Sequence, residues 1–156
     1  MKTETFCGEF EGALPFRQGL FLINPDGSGY LMGNRCQLCG VTFFPRREFC
    51  IECYQRSHLE EVKLDTTGTL YTFTTVFRAA PGFKTPYMVG YIDLEKNGVR
   101  IFAPITDCRP EALKIGIRME LVFGKMNKTP KDEIDKKQLT YQFRPPRQPS
   151  NRKGFI

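Results

Sequence analysis

The 156-residue sequence has no tryptophan and a single histidine, His58. Acyl transfer or thioester cleavage needs an activated nucleophile and a nearby base, and histidine is the usual base near neutral pH. His58 lies just past a cysteine motif, where an exposed structural role is the commoner one. Cys108 has no sequence neighbour that would activate it and is predicted to be a buried, inert thiol. The sequence therefore predicts a chain that is not catalytic alone.

Long apolar runs are also missing, and none is long enough to cross a bilayer, so no membrane association is expected. The first ten residues contain acidic side chains and lack the apolar stretch of a signal peptide. Four of the six cysteines have metal-binding spacing, which leaves Cys7 and Cys108 as expected free thiols. Free thiols are typical of a reducing compartment, so a cytoplasmic location is expected.

The strongest motif is a doubled cysteine pair, Cys36-x-x-Cys39 and Cys50-x-x-Cys53. Two such pairs a short loop apart can place four sulfurs at the corners of a tetrahedron, the closed geometry of structural zinc. Gly40 fits the tight turn after the first pair. Iron uses the same four-sulfur ligand set, so it stays an alternative to zinc. Two disulfides would need an oxidising compartment, and a redox CxxC normally occurs once.

Downstream of Asp65, five segments alternate apolar and polar side chains with the period of a half-buried strand. They are 69–78, 87–94, 99–105, 117–123 and 139–143. The sequence predicts a mostly β chain: a rubredoxin-like zinc ribbon followed by a five-stranded OB-type barrel, preceded by a partly helical N-terminal arm. A split sandwich is the alternative. One helical turn is expected at 110–114, and the charged stretch 124–137 is expected to be a mobile loop.

Four units are predicted along the chain: an arm (1–34), the zinc ribbon (35–64), the barrel (65–143) and a basic C-terminal tail (144–156). The arm is too apolar for a free tail. It is expected either to pack on its own ribbon or to contact another subunit.

The formal net charge is +6, and four of these charges lie in the tail, which has no acidic residue. They are Arg144, Arg147, Arg152 and Lys153. This excess suggests a polyanionic partner. Since the barrel itself is only mildly charged, a single-stranded nucleic acid is the less favoured partner.

Several short motifs occur in a specific order between about Gly33 and Pro146. They are Arg35-Cys36-x-x-Cys39-Gly40, Pro45-Arg46 before Cys50-x-x-Cys53, Gly68–Thr74, Ala80–Phe83, Pro86–Val89, Ile115-Gly116 and Phe143–Pro145. In this order the sequence resembles the bacterial and archaeal family of zinc-ribbon plus OB-fold proteins that accompany thiolases and acyl-CoA hydratases. It departs from the commoner pattern at Ile51, where proline is frequent, and at Tyr54, where glycine is the expected residue.

The resemblance implies a non-catalytic subunit that binds a thiolase-fold catalytic subunit and helps to hold an acyl-CoA. The basic tail and the many phenylalanines are similar to those of a family member from aromatic-compound degradation. Coenzyme A carries a 3′-phosphate and a pyrophosphate, which arginine and lysine bind by charge-assisted hydrogen bonds. The predicted coenzyme A-binding residues are Arg78, Phe83, Lys84, Arg144, Arg147, Arg152 and Lys153. The alternative is a single-stranded nucleic-acid-binding protein.

Overall fold

The computed structural model describes residues 14–147. Residues 1–13 and 148–156, which include Cys7, Arg152 and Lys153, lie outside this range. The described residues form one four-stranded sheet and a barrel. None of the helices in this range is long and apolar enough to cross a bilayer.

The four-stranded sheet surrounds the cysteine motif and uses β3 as its central strand. Within the described residues, the first five strands are β1 (Leu14–Pro15), β2 (Phe21–Ile23), β3 (Gly29–Cys36), β4 (Thr42–Phe43) and β5 (Leu59–Lys63). β2, β4 and β5 all pair with β3 in antiparallel register. The first cysteine pair begins at the last residue of β3, and the second pair lies in the segment that leads to β5.

The arm differs from the expected one. Within 14–34 it consists of strands and turns, and any helical part would lie outside the described residues. A hairpin with a turn at 24–28 fits this sequence better than a helix, because Ser28 N donates to Asp26 Oδ1 at 2.9 Å and closes an Asx turn. β3 runs without a break across the predicted arm–ribbon boundary at 34/35. The division into four units remains a prediction.

The barrel contains the five predicted strands. They are β6 (Thr67–Val76), β7 (Tyr87–Leu94), β8 (Arg100–Ile105), β9 (Arg118–Lys125) and β10 (Gln138–Arg144). β6, β7 and β8 form an antiparallel meander, and β10 pairs in parallel with β8. β9 pairs with both β10 and β6 and so closes the barrel. This is the strand order of an OB fold, and it confirms the predicted fold class.

Two connections in the barrel carry helical structure. A 3₁₀ turn spans Pro110–Ala112, close to the expected helical turn. A short helix, α1 (Glu133–Lys137), interrupts the stretch predicted to be a loop, and Asp132 caps it by accepting a bond from Asp135 N at 2.7 Å. The prediction missed α1 because its five residues are too few to show a helical period.

One hydrophobic core joins the arm, the end of the ribbon and the barrel. Phe21 is 4% exposed, and its ring lies 5.0 Å from that of Phe123 in β9. Phe16 and Phe44 contact Tyr141 in β10. The described part of the arm therefore packs on its own barrel, and the ribbon sheet is fixed against the barrel wall.

Candidate functional site

The four cysteines of the doubled motif lie together. Their Sγ atoms are all within 4.8 Å of one another. The Sγ atoms of Cys36 and Cys53 are 3.6 Å apart, and those of Cys39 and Cys50 are 3.5 Å apart. A tetrahedral zinc ion with Zn–S bonds of about 2.3 Å requires sulfur–sulfur distances of about 3.8 Å. The residues therefore fit a metal such as zinc.

The backbone around the two cysteine pairs repeats itself. In the first turn, Gly40 N donates to Cys36 O at 2.8 Å, and Cys36 N donates to Val41 O at 2.9 Å. In the second turn, Tyr54 N donates to Cys50 O at 3.1 Å, and Cys50 N donates to Gln55 O at 2.9 Å. The residue after each second cysteine has a left-handed backbone, with φ +77° at Gly40 and +60° at Tyr54. Tyr54 thus adopts the conformation that glycine adopts in the other turn.

Backbone N–H groups favour the thiolate at two of the four cysteines, Cys36 and Cys50. At Cys39 and Cys53 one backbone hydrogen bond is outweighed by burial and the neighbouring thiols, which raise the pKa, to about 12 for Cys39. The Cys39 backbone N–H lowers the pKa of the Cys36 thiol. Burial raises the pKa of Cys50, but hydrogen bonds from the backbone N–H groups of Cys53 and Glu52 outweigh burial and lower it to about 6. Since the thiolate is the form that binds metal, these bonds prepare the site for a cation. A zinc ion held there would be structural, because four protein ligands leave no open coordination position.

Side chains around the ribbon hold the two turns in place. Asn34, which is 5% exposed, accepts from Arg47 N at 2.9 Å and donates to Glu60 O at 3.3 Å. Arg46 pairs with Glu61 and donates to Gly19 O at 3.1 Å. These contacts tie the loop between the cysteine pairs to β3, β5 and the arm.

A second feature is a cavity of about 640 Å³ at one end of the barrel. It lies between the β6–β7 loop, the loop after β8 and the segment after β9. Its wall includes Phe83, Lys84, Cys108, Arg109, Lys125 and Met126. The volume is in the range of about 300–1,000 Å³ that is usual for small-molecule sites. In OB folds, the loops at this end commonly contribute to ligand binding.

Hydrogen bonds join two of these loops into one rim. Thr129 N donates to Gly82 O at 2.6 Å, and Asn127 Nδ2 donates to Lys84 O at 2.6 Å. Phe83 forms an isolated bridge with Lys128 and stacks on Tyr87 with ring centroids 6.5 Å apart. Because both loops are hydrogen-bonded, the rim is preorganised around the cavity.

The charge at the cavity is positive. Lys84, Arg109 and Lys125 line it, and within residues 14–147 none of the three is in an ion pair. The acid there is Asp107, which accepts from Arg144 at 2.9 Å and lies 3.5 Å from Arg147. The hydrogen bond from Arg144 lowers the pKa of Asp107. An apolar wall with free cations suits an amphipathic anion.

The predicted coenzyme A-binding residues fall into separate groups. Phe83 and Lys84 line the cavity together. Arg78 is exposed at the start of the β6–β7 loop and is not among the lining residues. Arg144 is held by Glu120 at 2.7 Å and by Asp107, so it is already paired inside the protein. Arg147 lies beside the same aspartate, and Arg152 and Lys153 lie outside the described residues.

Sequence reasoning missed Arg109 and Lys125. They are 16 positions apart in the sequence and converge only when β9 and β10 close the barrel. The sequence did contain a signal for them, because both residues follow predicted strands whose ends meet at the same end of an OB barrel.

The two groups considered for catalysis lie on different parts of the protein. Cys108 is in the cavity wall, where burial and then the charge of Asp107 raise its pKa. His58 is exposed in the ribbon, with Nδ1 at 2.9 Å from Ser57 Oγ. A thiol with a raised pKa is a poor nucleophile, so Cys108 is better suited to lining the cavity than to attacking a thioester.

Comparisons with known proteins agree with this architecture. Residues 61–124 match the family model described as ChsH2, C-terminal OB-fold domain. A DUF35 domain-containing scaffold protein of Methanocaldococcus jannaschii is 38% identical over 116 residues, which make up 73% of this chain and 79% of that protein. The benzoylsuccinyl-CoA thiolase subunit BbsA of Thauera aromatica is 39% identical over 131 residues, which make up 83% of this chain and 86% of that subunit.

A solved structure gives the same picture of the fold. A chain of the Ltp2-ChsH2(DUF35) aldolase has a TM-score of 0.58 at 24% identity, over 74% of this chain and 84% of that chain. The order of a cysteine cluster suited to zinc and an OB barrel, and the identity over most of a DUF35 scaffold protein, establish that this chain belongs to the DUF35 family.

Proposed function

We propose that this protein is the non-catalytic subunit of a heteromeric thiolase-type acyl-CoA enzyme, where it supports assembly and acyl-CoA binding. The observation that carries the proposal is the 39% identity over 86% of a thiolase subunit. The finer part of the proposal, an aromatic acyl-CoA such as 2-benzoylsuccinyl-CoA, is motivated by the same relative. The catalytic nucleophile and base belong to the partner, a thiolase-fold subunit.

The cysteine cluster would hold zinc as a structural ion. A ribbon of about thirty residues cannot bury enough apolar surface to fold unaided, and metal binding contributes the missing free energy. The ribbon sheet is also packed through the common core onto the barrel. Metal binding would therefore stabilise the barrel and its cavity as well as the ribbon.

The cavity is the proposed contact with acyl-CoA. Its apolar wall suits the acyl or pantetheine part, and Phe83 offers an aromatic face for adenine. Lys84, Arg109 and Lys125 provide the positive charge that the phosphates of coenzyme A require. The described tail residues Arg144 and Arg147 lie beside Asp107, and neither of them lines the cavity, so they do not form a free cationic arm there.

A single-stranded nucleic acid is the alternative, and one observation favours it. Tyr71, Tyr91 and Phe102 are 42% to 52% exposed on the outer face of β6–β8, where OB folds often stack bases. However, the cation of this face, Arg100, forms two hydrogen bonds with Asp93 at 2.6 and 3.0 Å. The pair is neutral, so the face lacks the positive charge needed to track a phosphate backbone.

The proposal is tested by purifying the tagged protein from its native host and identifying what accompanies it. A stoichiometric thiolase-fold protein is the expected result. Bound RNA or DNA whose affinity falls steeply with salt would favour the alternative and refute the proposal.

The cavity is tested in the purified complex by titration with coenzyme A and with an acyl-CoA. Replacing Lys84 or Arg109 with alanine should weaken binding about tenfold to 150-fold, the usual effect of losing one charge-assisted hydrogen bond of about 1.5–3 kcal/mol. Lys96→Ala is the matched control, because Lys96 lies in the turn after β7, at the opposite end of that strand from the cavity. Equal affinity in all three variants would exclude the cavity as the coenzyme A site.

A further inference from the structure

An unusual group of exposed apolar side chains surrounds the cysteine cluster. Leu38 is 56% exposed, Phe49 38%, Ile51 40% and Tyr54 73%. Each is the sequence neighbour of a cysteine of the cluster. Because the four sulfurs lie within 4.8 Å of one another, the residues that carry these four side chains lie close together around the cysteine cluster. We call this set the knuckle tip.

Tyr54 is the most informative of the four. Its φ of +60° is in the left-handed region that favours glycine, and the equivalent turn has Gly40 there. Its ring forms no aromatic pair and no cation–π contact with any residue of the described chain. The protein therefore keeps a large exposed ring at a position where glycine would adopt the same backbone without strain. A strained residue whose ring makes no aromatic or cation–π contact within the described residues points to a role outside the fold.

The size of the tip indicates what kind of surface covers it. Large apolar side chains have on the order of 150–250 Å² of surface each, so at these exposures the tip offers roughly 400 Å². A stable interface needs about 800 Å² from each partner. Two copies meeting tip to tip would bury roughly 800 Å² in total, which is the size of a crystal contact. The tip is therefore too small for a self-sufficient homodimer and fits an anchor within a larger contact.

We propose that the knuckle tip anchors this protein to the catalytic subunit, with the Tyr54 ring seated in an apolar pocket of that subunit. The inference rests on the proposed function and names the surface that performs its assembly part. Aromatic residues inserted into pockets are the usual anchors of protein interfaces. A metal ion held by the four cysteines would fix both turns, so the four side chains would be presented with less loss of conformational entropy on binding.

The test measures the affinity between the zinc-loaded full chain and the purified catalytic subunit by isothermal titration. Tyr54→Gly and the double variant Leu38→Ser with Ile51→Ser should each weaken binding tenfold or more, while zinc content stays at one ion per chain. Phe77→Ser is the matched control, because Phe77 is also 73% exposed but lies in the barrel. It should bind as the wild type does.

Tyr54→Gly relaxes the backbone, so its thermal stability should be at least that of the wild type even though it binds more weakly. A purely structural tyrosine would not produce this divergence. Unchanged affinity of both tip variants, with wild-type binding intact, overturns the inference but leaves the proposed function standing. Absence of wild-type binding refutes the proposed function itself. Loss of self-association with no loss of subunit binding would assign the tip to a second copy and also overturn the inference.

Discussion

The two cysteine turns have the same backbone geometry, but substitutions in them are expected to change the stability of the protein in opposite directions. Both place a left-handed residue after the second cysteine, glycine in one and tyrosine in the other. A left-handed backbone costs a residue with Cβ about 1–2 kcal/mol, whereas glycine loses about 0.5–1 kcal/mol more entropy on folding. Tyr54→Gly should therefore stabilise the protein by about 0.5–1 kcal/mol.

Gly40→Ala is the mirror experiment. A Cβ placed on Gly40 has nothing within 4 Å, so no steric clash adds to the backbone effect. The variant should lose about 0.5–1 kcal/mol, the same backbone difference with its sign reversed. The two variants thus isolate one physical cause at two equivalent positions.

The assay is reversible urea unfolding of the zinc-loaded protein followed by circular dichroism, because the sequence has no tryptophan to report by fluorescence. The free energies of unfolding should move in opposite directions by about 0.5–1 kcal/mol. Gly40→Ala with wild-type stability would show that the turn does not impose a left-handed backbone. A less stable Tyr54→Gly would show that the ring packs within the protein, and the reasoning on strain would be refuted.

Three further predictions concern the core, the metal and pH. Phe21→Ala should lower the free energy of unfolding by about 3–5 kcal/mol, because the ring is buried against Phe123 and joins the arm to the barrel. Urea unfolding measures this loss, and a loss below about 1 kcal/mol would contradict the common core. Cys50→Ser should abolish tight metal binding, measured by metal analysis, and lower the stability of the barrel as well as the ribbon, measured by hydrogen exchange. Unchanged protection of the barrel amides from exchange would show that the barrel and the ribbon fold independently. Asp107 has its pKa lowered by Arg144, so the stability it contributes is present above the unfolded value of 3.8 and is lost as pH falls through its lower folded pKa. Asp107→Asn should remove that part of the acid dependence, and identical pH profiles for variant and wild type would contradict it.

Local chemistry made much of this fold predictable. The doubled cysteine spacing identified four residues that the structure brings together, and strict alternation located β7 at Tyr87–Leu94. Asn-Gly is also a strong local signal for a hairpin turn, and Asn97-Gly98 lies in the β7–β8 turn, where Gly98 has φ +65°. Each of these signals depends on near neighbours in the sequence.

What could not be predicted depends on tertiary contacts. The arm forms a hairpin because β2 pairs with β3, a choice that its irregular apolar pattern does not specify. Arg109 and Lys125 come together only through barrel closure, and Arg144 is withdrawn from the cavity by Glu120 on the neighbouring strand β9. Charge counting along the sequence could not separate a paired arginine from a free one.

Reconstitution tests the central claim most directly, namely that this protein assists an acyl-CoA enzyme without performing the chemistry. The zinc-loaded chain and the catalytic subunit are incubated, separately and together, with a β-ketoacyl-coenzyme A thioester and free coenzyme A, and thiolytic cleavage into two thioesters is followed. The account predicts no turnover by this chain alone and higher activity of the catalytic subunit when the chain is added. Turnover by the isolated chain, or no effect of adding it, would contradict the account.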